Sequence, residues 1–441
     1  MKAIVLAGGE GQRLRPVSHG SPKPMVRLMG RPLLEHIILL LKKHGFTDIC
    51  ITLCSQPEVI RSYFGDGSSL GVNICYSQES RPLGTAGGVK LCEDFVGEDD
   101  VLVLSGDAAC DFDLAALMRE HQGSRAAATM ALAENDNPLR YGLVLVNSGD
   151  QVVGFIEKPD WSRVVTDLVN TGIYVLSPLA IGLIHHGEKY DFAQDLFPKM
   201  LDMGVPLHGK LMEGYWCDVG TPADFLRCSM DALHGKLNLS AVGDHIAPGI
   251  HCASKLPENV HLHPPCYIAP GALISEDAEI GPEAVVSPGS IIGMGAKIRS
   301  SVLDGGEAGA HSLIEGAIVC RGARVKPGQH IVPGTVVAPP NAKKAPDRKP
   351  LAHRQGEHGQ PVGEIACHNR AHLMRLFSEA LMEAGADFSD GLVLERSGGK
   401  VRLSPSGKKS AIVIESLTGT GADRDLAKRC RAMAEEWEEV E

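Results

Sequence analysis

The chain has 441 residues, with 43 Lys and Arg against 54 Asp and Glu, a formal net charge of −11. That length exceeds one typical domain and predicts two or three, and the acidic balance excludes a general nucleic-acid binder, which needs a net positive surface. Twelve cysteines without a Cys-x-x-Cys pair predict reduced thiols in a cytoplasmic protein, and no apolar run is long enough for a membrane span or a signal peptide.

The run from Lys2 to Ala7 reads as a short buried strand. It flows into Gly8-Gly9-Glu10-Gly11-Gln12-Arg13-Leu14-Arg15-Pro16, and Pro22-Lys23-Pro24 follows. Glycines at a strand end let backbone N–H groups close around phosphate oxygens, because no Cβ stands in the way. Arg13 and Lys23 add fixed positive charge where a polyphosphate would lie. The loop lacks the Gly-x4-Gly-Lys-Ser/Thr of a Walker A and the Gly-x-Gly-x-x-Gly of a dinucleotide fold. It resembles the pyrophosphorylase signature of sugar-1-phosphate nucleotidyltransferases, from which it departs at Gln12, where that family has Thr or Ser. The resemblance assigns the nucleotide to Leu6, Ala7, Gly8, Gly9 and Gly11, and catalytic roles to Arg13 and Lys23.

As far as about residue 233 the chain alternates strand-like and helix-like segments. Residues 49–53, 72–76 and 101–104 are apolar or β-branched runs; 33–43, 57–64 and 86–95 read as helices. Such alternation predicts a mainly parallel, Rossmann-like α/β sheet whose ligands collect at the carboxyl ends of its strands. Ser105-Gly106-Asp107 lies at one such end. Asp107 reads either as a turn aspartate or as a carboxylate placed to hold Mg²⁺ against a nucleotide. Asp218, in Trp216-Cys217-Asp218-Val219-Gly220-Thr221, is the second candidate ligand. The family resemblance implies that these two aspartates hold the metal, and Asp111 and Asp113 read as turn and helix-cap residues.

Other segments match the same family in its order. Gln78-Glu79 and Leu83-Gly84-Thr85-Ala86-Gly87-Gly88 resemble the part that approaches base and ribose, which brings in Gln78, Gly84 and Thr85; the resemblance adds Gly106 of the Ser105-Gly106-Asp107 turn to the nucleotide residues. Tyr141-Gly142, Glu157-Lys158-Pro159 and Asn170-Thr171-Gly172 resemble the sugar-phosphate half. Lys158 can carry the sugar's phosphate and Glu157 can accept hydrogen bonds from ring hydroxyls. These assign Tyr141, Gly142, Glu157, Lys158, Asn170 and Thr171 to the sugar-1-phosphate. The nucleotidyltransferase domain is expected over residues 1–235.

A period of six follows. Ile250, Leu256, Leu262, Ile268, Ile274, Ile280, Val286, Ile292 and Ile298 are six apart, with small residues such as Ala278, Ala284 and Ala296 four places after an aliphatic one. The register slips after Ile298 and resumes as Val302, Ala308, Ile314, then Val325, Ile331, Val337. Stacked aliphatics with small corner residues are what a hexapeptide solenoid requires. The pattern over 250–340 resembles the left-handed parallel β-helix found beside many nucleotidyltransferase domains. His261, His263, His311 and His330 read as solvent-facing turn residues in preference to acyltransferase bases, and the region is expected to serve homo-oligomer assembly.

Residues 341–363 are polar and rich in Pro, Lys, Arg and His, as a linker would be. Residues 364–441 predict a small α+β domain with helices over 371–383 and 424–435. Ser404-Pro405-Ser406-Gly407-Lys408-Lys409 resembles the phosphate loop of the last phosphohexomutase domain, without that family's phosphoserine or metal loops. The whole order resembles fusions of mannose-1-phosphate guanylyltransferase with phosphomannomutase. It implies an enzyme taking a nucleoside triphosphate and a sugar-1-phosphate. Mannose-1-phosphate with GTP is the first expectation, and glucose-1-phosphate with ATP, UTP or dTTP, or a regulatory subunit holding NDP-sugar without turnover, stay open.

Overall fold

The computed structural model describes residues 1–9, 11–135, 138–157, 166–239 and 245–343, the strand segments 360–366, 392–396, 399–405 and 411–416, and Cys430. Two compact units divide the chain. One joins residues 1–82, 103–115 and 213–347; the other joins 83–102, 116–212 and 348–441. Among the described residues no helix is long and apolar enough to cross a membrane.

In the first unit, Lys2–Leu6 pairs in parallel with Asp48–Leu53, which pairs in parallel with Asn73–Gln78; the strand ending at Ser105 lies on the other side of Lys2–Leu6. The helices Leu33–Lys43 and Pro57–Phe64 fall where the sequence predicts them. Ala3, Ile4, Val5, Ile49, Ile51, Val103 and Leu104 are all at most 1 % exposed. Their continuous burial is why these strands read as unbroken apolar runs: helices cover both faces of a parallel sheet.

The same unit contains a coil of short parallel rungs. Each turn of chain lays one rung on each of three sheets, so that Ile280, Ile298, Ile314 and Ile331 stack in register. Ala278, Ala284, Ser290 and Ala296 are fully buried, as small corner residues should be. The slip after Ile298 has a local cause. Two residues, Arg299-Ser300, replace the three of Gly281-Pro282-Glu283 between aligned rungs, and Ser300 takes φ 44° to close the tighter corner. Leu303, and not Val302 as the period suggests, therefore aligns with Val286. The next corner shortens too, from Ser287-Pro288-Gly289-Ser290 to Asp304-Gly305-Gly306. His261, His263, His311 and His330 are all exposed, and His330 bonds Glu315 at 3.0 Å.

The second unit departs from the expected parallel sheet. Leu168–Leu176 runs antiparallel to Ala128–Glu134 and Val152–Glu157 antiparallel to Gly142–Val146, while Leu207–Leu211 joins Ala128–Glu134 in parallel. The single helix expected over 86–95 is two, Gly84–Lys90 and Glu93–Val96. Tyr174, Phe192 and Phe197 pack with ring centroids 4.8–5.4 Å apart, in the favourable range for aromatic pairs. Beyond residue 359 the described strands form one antiparallel sheet, in the order Gln360–Ala366, Ala411–Ser416, Gly399–Pro405, Leu392–Arg396. The helices expected over 371–383 and 424–435, the loop residues 406–409 and most of the 341–363 linker lie outside the described residues, apart from Cys430.

Candidate active site

The glycine loop leaves the end of Lys2–Leu6 and turns into a short helix, Gln12–Leu14. Leu14 is fully buried in the core, which leaves neighbouring Arg13 facing outward. Gly11 has φ +58°, and a Cβ there would sit 2.6 Å from Lys23 Cβ, so the loop needs glycine on both counts. Gly8 lies against Cys54 and the Glu79 carboxylate, whose oxygen would be 3.1 Å from an added Cβ, whereas a Cβ on Gly9 would meet open space.

The two strand ends do converge. Gly106 N–H donates to Leu6 C=O at 2.8 Å, and Ala7 N–H to Thr52 C=O at 3.1 Å. A Cβ on Gly106 would be 3.1 Å from that Leu6 oxygen, so this glycine permits the approach. Directly after it, Ala108–Cys110 pairs antiparallel with Trp216–Asp218, which sets Asp218 opposite Ala108 and next to Asp107. Thr221 caps the following helix, Pro222–Leu233, by accepting from Asp224 N–H, and so fixes where the Asp218 strand ends.

Lys23 completes the group. Its ammonium donates to Asp107 Oδ2 at 2.7 Å and to Asp218 Oδ1 at 3.1 Å, with the lysine buried and the carboxylates about one quarter exposed. Burial alone would lower the lysine's pKa, but the two carboxylate charges and their hydrogen bonds outweigh it and hold it above the ordinary value. For Asp107, burial pushes upward, while the Lys23 charge and hydrogen bonds from Lys23 and Ser105 leave the carboxyl below the ordinary value. Arg13 approaches Asp218 Oδ2 at 3.8 Å and is more than half exposed.

Two carboxylates focused on one cation are a donor set for a hard divalent ion. Mg²⁺ takes one or two carboxylate oxygens and fills its remaining positions with water and phosphate oxygens. Among the described residues no group of three or more His, Cys, Asp or Glu gathers, so a softer, fully protein-ligated metal has no cage there.

Ser105 was not singled out by sequence reasoning, yet its hydroxyl donates to Asp107 Oδ1 and leaves Oδ2 to Lys23. Its signal was a hydroxyl two residues before a strand-end aspartate. Asp111, as expected, is structural: its carboxylate accepts from the N–H groups of Tyr215 and Asn238. Asp113 pairs with His44 at 3.1 Å.

The remaining candidates are placed as follows. Gln78 is exposed and accepts from Arg61 at 3.3 Å. Gly84 has φ +76° and would drive a Cβ into Tyr190 C=O, 2.6 Å away. Thr85 donates to Asp191 at 2.9 Å and accepts from Phe192 N–H at 3.0 Å, so it anchors the 83–88 segment. Gly142 lies against the Glu157 carboxylate, whose oxygen would be 2.7 Å from an added Cβ. Asn170 Oδ1 accepts from Tyr174 Oη and Gly172 N–H. Tyr141 is half-buried beside the Arg140 guanidinium. Thr171 is buried, with its hydroxyl given to Ala131 C=O at 2.7 Å, which commits that side chain to the sheet. Lys158 lies outside the described residues.

Residues 2–235 match the family described as nucleotidyl transferase, and residues 262–341 match the GMPPB C-terminal domain. The chain is 34 % identical over 285 residues to a UTP–glucose-1-phosphate uridylyltransferase of Synechocystis sp., spanning 61 % of this chain and 74 % of that protein. It is 34 % identical over 325 residues to a mannose-1-phosphate guanylyltransferase of Mycobacterium tuberculosis, spanning 74 % and 81 %. A probable mannose-1-phosphate guanylyltransferase 1 of Oryza sativa subsp. japonica is 34 % identical over 286 residues, spanning 63 % and 75 %.

Proposed function

The chain belongs to the sugar-1-phosphate nucleotidyltransferase family, and from that premise we propose that it joins mannose-1-phosphate to GTP, giving GDP-mannose and pyrophosphate. The observation that carries the chemistry is the grip of Lys23 on both Asp107 and Asp218 beside the glycine loop. The choice of mannose and guanine is supported by the names of two relatives and by the match of residues 262–341. Glucose-1-phosphate with UTP is the second reading, favoured by the Synechocystis relative.

In this reading a phosphate oxygen of the sugar-1-phosphate attacks the α-phosphorus of the nucleotide. The bond to the bridging oxygen breaks, and pyrophosphate leaves with the electron pair. No covalent enzyme intermediate is needed, so the protein contributes position and charge. The amides of Gly8, Gly9 and Gly11, with Arg13, hold the β- and γ-phosphates. Lys23 turns its ammonium toward the α-phosphate as negative charge develops there. Asp107 and Asp218 hold Mg²⁺, which supplies Lewis-acid neutralisation of phosphate charge when bound. Ser105 keeps one Asp107 oxygen occupied so that the other is presented. Glu157, Lys158, Asn170 and Tyr141 take the sugar-1-phosphate.

We extend the same reading to the rest of the chain. The rungs of residues 250–340 form a left-handed β-helix through which copies of the chain assemble, and residues 364–441 descend from a phosphohexomutase domain without its chemistry. The deciding experiment is pyrophosphate release with GTP, ATP, UTP and dTTP, each against mannose- and glucose-1-phosphate. Fastest turnover with GTP and mannose-1-phosphate is expected. Preference for UTP and glucose-1-phosphate would establish the second reading, and no turnover with any pair would leave a regulatory NDP-sugar binder.

A further inference from the structure

The segment that carries Lys23 does not end at the site. Lys23–Met25 is one short helical turn, closed by Val26 N–H on Lys23 C=O at 3.0 Å. The chain then enters a tight hairpin in which Arg27–Leu28 pairs with Arg31–Pro32. Leu33 N–H returns to Val26 C=O at 2.9 Å and locks the hairpin's base three residues from the lysine. At its tip Met29 and Gly30 both have positive φ, 47° and 80°. Only a demanding environment keeps methionine there.

That environment is the rung coil. Met29 is 1 % exposed and shares one apolar cluster with Tyr267, Ile268 and Ala269. A Cβ on Gly30 would be 2.8 Å from Tyr267 Oη and 3.4 Å from Pro288 Cδ, so the tip sits flush on the coil. Arg27 donates from Nη1 to Pro288 C=O at 3.2 Å and faces Asp304 electrostatically. Asp304 is 4 % exposed; Arg321 reaches one of its oxygens at 3.9 Å, and the other has no hydrogen-bond partner among the described residues. A carboxylate that poorly satisfied is costly to bury unless cations stand close. Arg321 and, behind it, Arg27 supply positive charge there, and burial still holds the Asp304 carboxyl above its ordinary value.

We infer that Arg27, bonded to Pro288 C=O on the coil, is a positioning residue through which the coil holds Lys23 beside Asp107 and Asp218. The coil is then part of the scaffold of the phosphate chemistry. The inference rests on the proposed role of Lys23. A short rigid path suits such a task, because a misplacement of about 1 Å can cost on the order of a hundredfold in rate.

A double-mutant cycle in the full-length protein tests it, with turnover, both KM values and melting temperature recorded for each variant. Arg27→Ala is expected to lower kcat about tenfold and leave both KM values within about twofold. Arg27→Lys is expected to recover most of that loss. In a Lys23→Ala background, assayed at high enzyme concentration, adding Arg27→Ala should change nothing further. Equal fold losses in both backgrounds would overturn the proposal, since Arg27 would then act independently of Lys23. Wild-type kcat in Arg27→Ala, or a rise in KM with kcat intact, would overturn it as well. If Arg27→Ala does not fold, Arg27→Met removes the donor to Pro288 C=O with the side-chain bulk kept, and is read in the same way. Wild-type turnover in Lys23→Ala alone would remove the role of Lys23 and this proposal with it; loss there with independent Arg27 effects removes only the proposal.

Discussion

Tyr215 donates its backbone N–H to Asp111 Oδ1 at 2.6 Å, tying together strand segments 104 residues apart in sequence. The other oxygen, Oδ2, takes Asn238 N–H at 2.8 Å. This double acceptor staples the Asp218 strand to the chain leaving the Asp107 turn. Asp111→Ala should therefore lower unfolding free energy by about 1–3 kcal/mol through the part-buried Tyr215 N–H it strands, Asn238 N–H being exposed to water, read as a lower urea midpoint. Its Mg²⁺ dependence should match the parent enzyme. A shift as large as that of Asp218→Asn would make Asp111 a metal ligand and refute its structural role.

Asp107→Asn and Asp218→Asn keep shape and remove charge. Each is expected to cut pyrophosphate release on the order of a hundredfold or more while circular dichroism stays unchanged, because the cation requires carboxylate oxygens. Both variants turning over near the parent rate across a Mg²⁺ titration would dismiss the pair as the metal site.

Gly11→Ala combines two penalties. The left-handed backbone costs about 1–2 kcal/mol for a residue with a Cβ, and the new methyl meets Lys23 Cβ at 2.6 Å. Gly20→Ala, with φ +73° and nothing within 4 Å, carries only the first penalty. The prediction is that Gly11→Ala loses turnover and Gly20→Ala loses only some stability. Equal turnover in the two variants would show that Lys23 tolerates displacement.

Lys158→Ala should raise KM for the sugar-1-phosphate far more than KM for the nucleotide, since one substrate alone loses its charge partner. Equal changes in both would assign the lysine a structural role.

The ion pair also sets a pH window. The folded pKa of Asp107 is depressed, so its stabilisation is present above the unfolded value near 3.8 and is lost as pH falls through the lower folded value. Lys23 is raised, so its share is complete below 10.5 and is lost as pH climbs through the higher folded value. The stability gap between the parent and Asp107→Asn should thus be constant around neutrality and shrink as pH falls below the unfolded value of 3.8. A gap that grows on acidification would contradict the assignment.

The glycine loop, Lys23, Asp107 and Asp218 were legible because each sits at a strand end or in a short motif, where local geometry and chemistry coincide. The grip of Lys23 on both aspartates was not. It depends on Ala108–Cys110 pairing with Trp216–Asp218, a contact between distant segments that no local pattern encodes. Residue type gives no sign of which face of a strand a hydroxyl takes, so the turn of the Thr171 hydroxyl to Ala131 C=O was not legible either. The antiparallel pairings of the second unit were missed because a buried apolar run carries no mark of its partner's direction. Val302 was set in the wrong register because a fixed period cannot anticipate a corner one residue short.

That corner bears on how the gene for such a chain can change. Insertions and deletions should survive where Arg299-Ser300 already stands in for three residues and where Asp304-Gly305-Gly306 stands in for four, because the Ile280, Ile298, Ile314 and Ile331 column stays aligned across both. A single codon lost inside a rung, that of Ile291 for instance, would instead turn outward every side chain that followed until the next corner. Length polymorphism in this region should therefore be confined to the edges of the coil, and its faces should vary only by substitution.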